Sequence, residues 1–261
     1  TKAVLTYASL SLTDFVAVFV GGLVDTPLRE TLWCLTIILD LIAGMIGGRT
    51  QGYNINVDHF TERHALFIII ALGESLIDIG ISTATQEHNT EHLISAICAV
   101  ILVCLLWWTY FGWIKAALAG KLREATGSSR SSLASETYSF LHFPLIGGII
   151  GIAIAFEHVL SHPHEPLTTA VLLALTVGIA LFVGAAGAAW FRASKHLLVV
   201  RAVILLLMTG ALIASSALMP IWLLVITIVA IASIVIIEQH TVAKSYGFIG
   251  LKPRPVMNLP S

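Results

Sequence analysis

The sequence predicts an all-α fold, a polytopic integral membrane bundle of about eight helices with both ends on the cytoplasmic side. Composition is the first observation behind this. Of 261 residues, 57% are hydrophobic and 11% charged, with a mean hydropathy of +0.92. A soluble domain carries about 25% charged residues. The second is that the apolar residues come in long runs, several near the ~20 residues that cross a bilayer. The third is charge placement. With the N-terminus inside and the segments alternating, thirteen of the fourteen Lys and Arg fall on one side and Arg29 alone on the other, the positive-inside pattern.

In chain order, the first segment covers 4–24. The second, 29–47, runs into Gly47-Gly48 and Gly52, which open a polar loop. The third covers 62–83. The fourth, 93–115, ends in Trp107-Trp108-Thr109-Tyr110-Phe111-Gly112-Trp113 before Lys115, read most simply as an aromatic belt at the membrane boundary. The fifth, 137–160, carries Pro144 close to its start, where a kink is tolerated. Pro163 and Pro166 bracket the next turn, and the sixth covers 167–190. The seventh, 198–217, and the eighth, 220–237, form a tight hairpin. Pro220 begins the eighth, where its missing N–H costs little. Residues 1–238 are thus the bundle, 239–261 a cytoplasmic tail, and 127–135 a Ser-rich loop.

A net charge of −1 gives no case for nucleic-acid binding. Cys34, Cys98 and Cys104 lie in apolar segments without a CxxC spacing, so neither a disulfide framework nor a zinc site is indicated. The chain starts at Thr1 and shows no signal peptide. HExxH, GxSxG, P-loop and dinucleotide-loop patterns are absent, so neither an enzyme nor a cofactor is expected.

Ionisable groups within a span are costly and usually face the bundle interior or a water-filled cavity. The third segment is richest in them, with Glu62, Arg63 and His64 at its inner end, Glu74 near its middle and Asp78 one turn on. At 100° per residue, Arg63, Phe67, Glu74, Asp78 and Ser82 form one stripe, which predicts an inward-facing polar line. Asp14 in the first segment and Asp40 in the second add two carboxylates. His142 sits near the inner end of the fifth, within expected reach of Glu62 and Arg63. Two roles stay open for these groups, a proton or cation path and polar bonding between helices. On the outer side, His88/His92 and His158/His162 are spaced i, i+4, with His164 and Glu165 following. They are weak metal candidates, more simply solvated loop histidines.

Three runs carry a family resemblance. Asp58-His59-Phe60-Thr61-Glu62-Arg63-His64-Ala65-Leu66-Phe67-Ile68-Ile69-Ile70-Ala71-Leu72-Gly73-Glu74-Ser75 resembles the His-Phe-x-Glu-Arg-x-x-Leu-Phe-x-Ile-Ile-x-Leu-Gly-Glu-Ser pattern of the bacterial low-temperature-requirement A (LtrA) proteins. Trp107-Trp108-Thr109-Tyr110-Phe111 resembles their Trp-Trp-x-Tyr-Phe. Tyr138-Ser139-Phe140-Leu141-His142-Phe143-Pro144-Leu145 resembles their Tyr-x-x-x-His-x-Pro-Leu. The likeness spans roughly residues 1–240 and implies a multi-pass protein of the bacterial cytoplasmic (inner) membrane that supports growth in the cold. Two features depart from the pattern. Gly112 stands where many members carry an acid, and the N-terminal Glu-Leu-Phe-x-Asp-Leu-Val-Phe motif is missing, as in a C-terminal portion of a longer protein or a shortened member.

The function expected is a transporter or channel-like protein for protons or small cations, in contact with membrane lipids. Glu74 would be the exchanging carboxylate, Asp78 its outer neighbour, and Glu62 with Arg63 the inner gate. The alternative is a non-transporting protein that supports cold growth through packing, lipids or partners. A missing N-terminal helical region or a second copy of the chain is the expected partner.

Overall fold

The computed structural model describes residues 2–48, 55–85 and 90–243. Among these the chain is helical and has no strand. Each apolar segment forms a helix: α1 Lys2–Leu23, α2 Leu28–Gly48, α3 Val57–Thr85, α4 Thr90–Phe111, α7 Leu141–Ser161, α8 Thr169–Ser194, α9 Val199–Ala214 and α10 Pro220–Glu238. Between α4 and α7 stand two shorter helices, α5 Ile114–Glu124 and α6 Gly127–Ala134, and a π-helical turn, Ser135–Phe140. A second π-helical turn, Gln239–Ala243, extends α10. Five continuous stretches are long and apolar enough to cross a membrane: Val57–Ala84, Thr90–Glu124, Gly127–Ser161, Thr169–Ser194 and Pro220–Thr241, with α9 a shorter apolar helix.

Helix ends follow local chemistry. The Thr168 hydroxyl accepts from the Val171 amide and caps α8, Lys195 closes α8 in the left-handed region with φ 63°, and Pro220 takes the first turn of α10. Pro144 has no amide to give the carbonyl four residues back. That carbonyl belongs to Phe140, the last residue of the first π turn, so the lost bond falls where the helix is already irregular.

Six helices close a ring in the order α3, α4, α10, α9, α8, α7 and back to α3. One continuous core fills it, including Ile68, Leu106, Ile149, Ile179, Phe182, Leu212, Leu223 and Ile231. The tightest crossing joins α7 to α8 through glycine. A Cβ on Gly148 would stand 2.5 Å from the Gly178 carbonyl oxygen, and one on Gly178 would stand 2.8 Å from that of Gly148. Backbones approach this closely only where side chains are absent. The α1–α2 hairpin packs on itself and meets the rest of the protein chiefly through α2 at α6 and the first π turn.

The residues read as a Ser-rich loop, 127–135, are helical. α5 buries Ile114, Leu118 and Leu122, one residue per turn, while α6 buries Leu133 and Ala134. Packing of these faces overrides the weak propensity of the serines.

Candidate functional site

The basic end of the ring, where α5 and α6 lie, holds a buried polar cluster built from α3, α4, the first π turn and α7. Tyr110, Tyr138 and His142 are all buried, and His64 is half-buried beside them. The His64 ring lies 5.4 Å from that of His142 and 5.4 Å from that of Tyr138, both edge-on, while Tyr138 and His142 stack at 5.1 Å. Phe60 adds an edge against His64 and another against Tyr138.

Hydrogen bonding fixes the ring tautomers. His142 Nδ1 lies 3.0 Å from the Thr137 carbonyl, and His64 Nδ1 lies 2.9 Å from the Phe60 carbonyl. A carbonyl only accepts, so each Nδ1 carries the hydrogen and, in the neutral ring, each Nε2 the lone pair. The Tyr110 hydroxyl, 2.7 Å from His142 Nε2, is therefore the donor there. Among the described residues, the buried Tyr138 hydroxyl has no hydrogen-bond partner.

A second buried set lies beside the first. Arg201 on α9 donates through Nε and Nη2 to the two carboxylate oxygens of Glu238 on α10, at 2.7 and 2.6 Å. Its Nη1 reaches the Val183 carbonyl. Glu238 also accepts from the indole N–H of Trp113 at 3.1 Å. The ion pair is almost fully buried, with side-chain exposures of 3% and 4%. It ties α8, α9 and α10 to the point where α4 gives way to α5. A buried pair of this kind is acceptable because its donors and acceptors are matched. Gly112 occupies the same break. A Cβ there would stand 2.6 Å from Trp108 Cδ1 and also collide with the Gln239 side chain, so in this chain the position leaves no room for a larger side chain. The carboxylate that meets the break, Glu238, comes from α10.

The polar stripe of α3 runs differently from the expectation. Glu62, Arg63, Phe67, Glu74 and Asp78 are exposed, on the side of α3 turned away from the ring. The buried side carries Ala65, Ile68, Leu72, Ser75 and Ile79. An apolar i, i+3, i+4 face takes the core, and the charged residues fall opposite it. His142 accordingly meets α3 at His64, one residue past Arg63. Asp40 is exposed on α2, and the side chain of Asp14 lies outside the described residues. Trp107 and Trp108 are exposed as a belt requires, whereas Tyr110 and Trp113 are buried.

At the opposite end, His158 and His162 stack at 5.0 Å, His164 pairs with Glu91 at 3.2 Å, and His92 is buried. Among the described residues no three His, Cys, Asp or Glu side chains are grouped to hold a metal. His88 lies outside the described residues.

Three stretches far apart in sequence supply the basic-end cluster: Phe60 and His64, then Tyr110, then Tyr138 and His142. They are the stretches that carried the resemblance, and they define a helical membrane-protein class with a buried imidazole–phenol centre. The chain belongs to the family described as bacterial low temperature requirement A protein (LtrA), whose model matches residues 1–237. It is also 31% identical over 181 residues to an uncharacterized protein of Rhizobium meliloti (strain 1021), a match covering 66% of this chain and 43% of that protein. The chain thus spans less than half the length of that curated relative. No solved structure matches it.

Proposed function

We propose that this chain is part of a multi-pass protein of the bacterial cytoplasmic membrane that moves protons or small cations along α3. In this reading residues 1–238 make eight crossings, 239–261 form a tail, and both ends lie in the cytoplasm with the basic end. The observation that carries the reading is the cluster of His64, Tyr110, Tyr138 and His142. Buried polar side chains are expensive beside a membrane and mark pathways when they gather. Glu74 follows His64 by ten residues, about 15 Å further along the helix, and Asp78 by one turn more. These carboxylates stand on the outer flank of α3, so one wall of the path comes from outside the described helices. A preceding helical region of a longer polypeptide, or a second copy, supplies that wall.

Reconstituted in liposomes with an imposed pH gradient and an internal pH dye, the protein should conduct protons or cations. Glu74→Gln preserves size and hydrogen bonding but removes the exchangeable proton, and should lower the flux at least tenfold. Flux no greater than in empty liposomes, or unchanged by Glu74→Gln, would leave the carboxylates a bonding role only.

A further inference from the structure

We propose that the outward face of α3 seats one further membrane-crossing helix, which carries a Lys or Arg at the depth of Glu74 and Asp78 and belongs to the same, longer polypeptide. This deepens the transport reading, on which the helix's part in a path rests, by choosing between the two sources of the missing wall. α3 is long and apolar enough to cross a bilayer. On its exposed side Phe67, Ile70, Ile77 and Ile81 stand around Glu74 and Asp78. The apolar side chains are at home against lipid. The carboxylates are not, because ionisable groups within a span face protein or water, and neither has a partner among the described residues. Gly73 and Gly80, two turns apart, flank the same face. A Cβ on either would meet nothing within 4 Å, and small residues let a second backbone come close.

Charge decides which helix fits. Paired carboxylates in a low-dielectric layer are matched most strongly by a cation. Every described Lys and Arg side chain except Arg29 lies at the basic end. Arg29, at the far end, is engaged by Asp25 and the Val24 carbonyl. Glu74 stands about 16 Å along α3 from Arg63, beyond the reach of either set. A second copy related by an axis along the membrane normal brings the same residues to the same depths, so it would set carboxylate against carboxylate. The α1–α2 hairpin offers no more. It adds Asp14 and Asp40, and no Lys or Arg away from its helix ends. The cation therefore comes from a helix beyond those described. More than half of the matched Rhizobium protein lies outside the aligned stretch, ample length for such a helix. Once seated, its cation competes with a proton or small cation for the same two carboxylates, which ties occupancy of the path to the packing of this helix.

Photocrosslinking identifies the occupant without any flux measurement. Benzoylphenylalanine replaces Ile77, beside Asp78 on the exposed face, in cells that make the whole polypeptide, and mass spectrometry reads the adducts. The expected adduct joins position 77 to a segment of the same polypeptide, outside these 261 residues, that contains a Lys or Arg. Glu74→Gln with Asp78→Asn should lower its yield about three- to fifteenfold, the effect of losing one polar bond between membrane helices. The same probe at Leu173, exposed on α8, should give unchanged adducts in both backgrounds. Adducts at 77 only to lipid, to a second copy, to a separate protein or to the α1–α2 hairpin would overturn the proposal. So would a crosslinked segment without Lys or Arg, a yield that the substitutions leave unchanged, or one that falls equally at 77 and 173. Proton flux without the adduct would count against the docked helix alone, and the adduct without flux against the transport reading alone.

Discussion

Two tyrosines in one cluster have opposite hydrogen-bond balances, and that difference is measurable. The Tyr110 hydroxyl donates to His142 Nε2 at 2.7 Å. Tyr110→Phe leaves a buried acceptor without its donor and should destabilise the protein by about 1–3 kcal/mol. The Tyr138 hydroxyl has no partner among the described residues, so Tyr138→Phe removes a polar atom that gains nothing in the folded state. It should be neutral or stabilising. Unfolding in mixed detergent micelles compares the two variants side by side. Equal losses would mean that the Tyr138 hydroxyl is bonded in solution. His64 and His142 were each legible beforehand as polar residues at the ends of apolar segments. Tyr110 was not, since an aromatic run beside a membrane end reads equally as a belt. Trp107 and Trp108 are exposed, whereas Tyr110 continues the buried face of α4 one turn after Leu106, and Trp113 is buried at the α4–α5 break.

Among the elements, the long apolar helices were legible because length and hydropathy alone define them. α5 and α6 were not, because Gly, Ser and Arg dominate 120–132 and hide the spacing of Ile114, Leu118 and Leu122. The outward turn of the α3 stripe was likewise hidden. A periodic line of charges shows that the residues share a face, and only the neighbouring helices decide which way that face points. The buried pair Arg201–Glu238 could have been found from topology, since a hairpin of α9 and α10 returns the end of one to the start of the other. Glycine tests the strongest helix contact. Gly147 and Gly148 are adjacent, yet a Cβ on Gly147 would meet nothing within 4 Å, while one on Gly148 would meet the α8 backbone. Gly148→Leu should cost at least the ~1–3 kcal/mol of an overpacked core and separate α7 from α8. Gly147→Leu should fold like the wild type. The ratio of folded to aggregated protein after detergent extraction reports both, and similar behaviour of the two variants would contradict the crossing.

For the whole molecule, the Arg201–Glu238 pair constrains how many times the chain crosses. α9 has 16 residues, about 24 Å, short of a ~30 Å hydrocarbon layer. Such a helix either crosses with local thinning of the bilayer or turns back within it. Arg201 lies in the first turn of α9 and Glu238 at the end of α10, and their bond holds these two points at one depth. α10, at 19 residues and strongly apolar, is long enough to traverse almost the whole layer. α9 must then cover nearly the same depth in the opposite direction, helped by residues 215–219 of the connecting turn. On the proposed eight-crossing topology both helices cross, and the α9–α10 turn faces the side opposite the basic end. On the same proposal the asymmetry of Lys and Arg puts the basic end in the cytoplasm. Single cysteines at Ser128 and Lys195, both exposed at the basic end, should be protected from an impermeant thiol reagent in intact cells. Cysteines at His164 and Leu218, exposed at the other end, should react, and all four should react once the membrane is permeabilised. Protection of 218 together with reaction at 164 would make α9 a helix that turns back. Reaction of 128 in intact cells would reverse the orientation of the bundle, placing the imidazole–phenol cluster at the outer face.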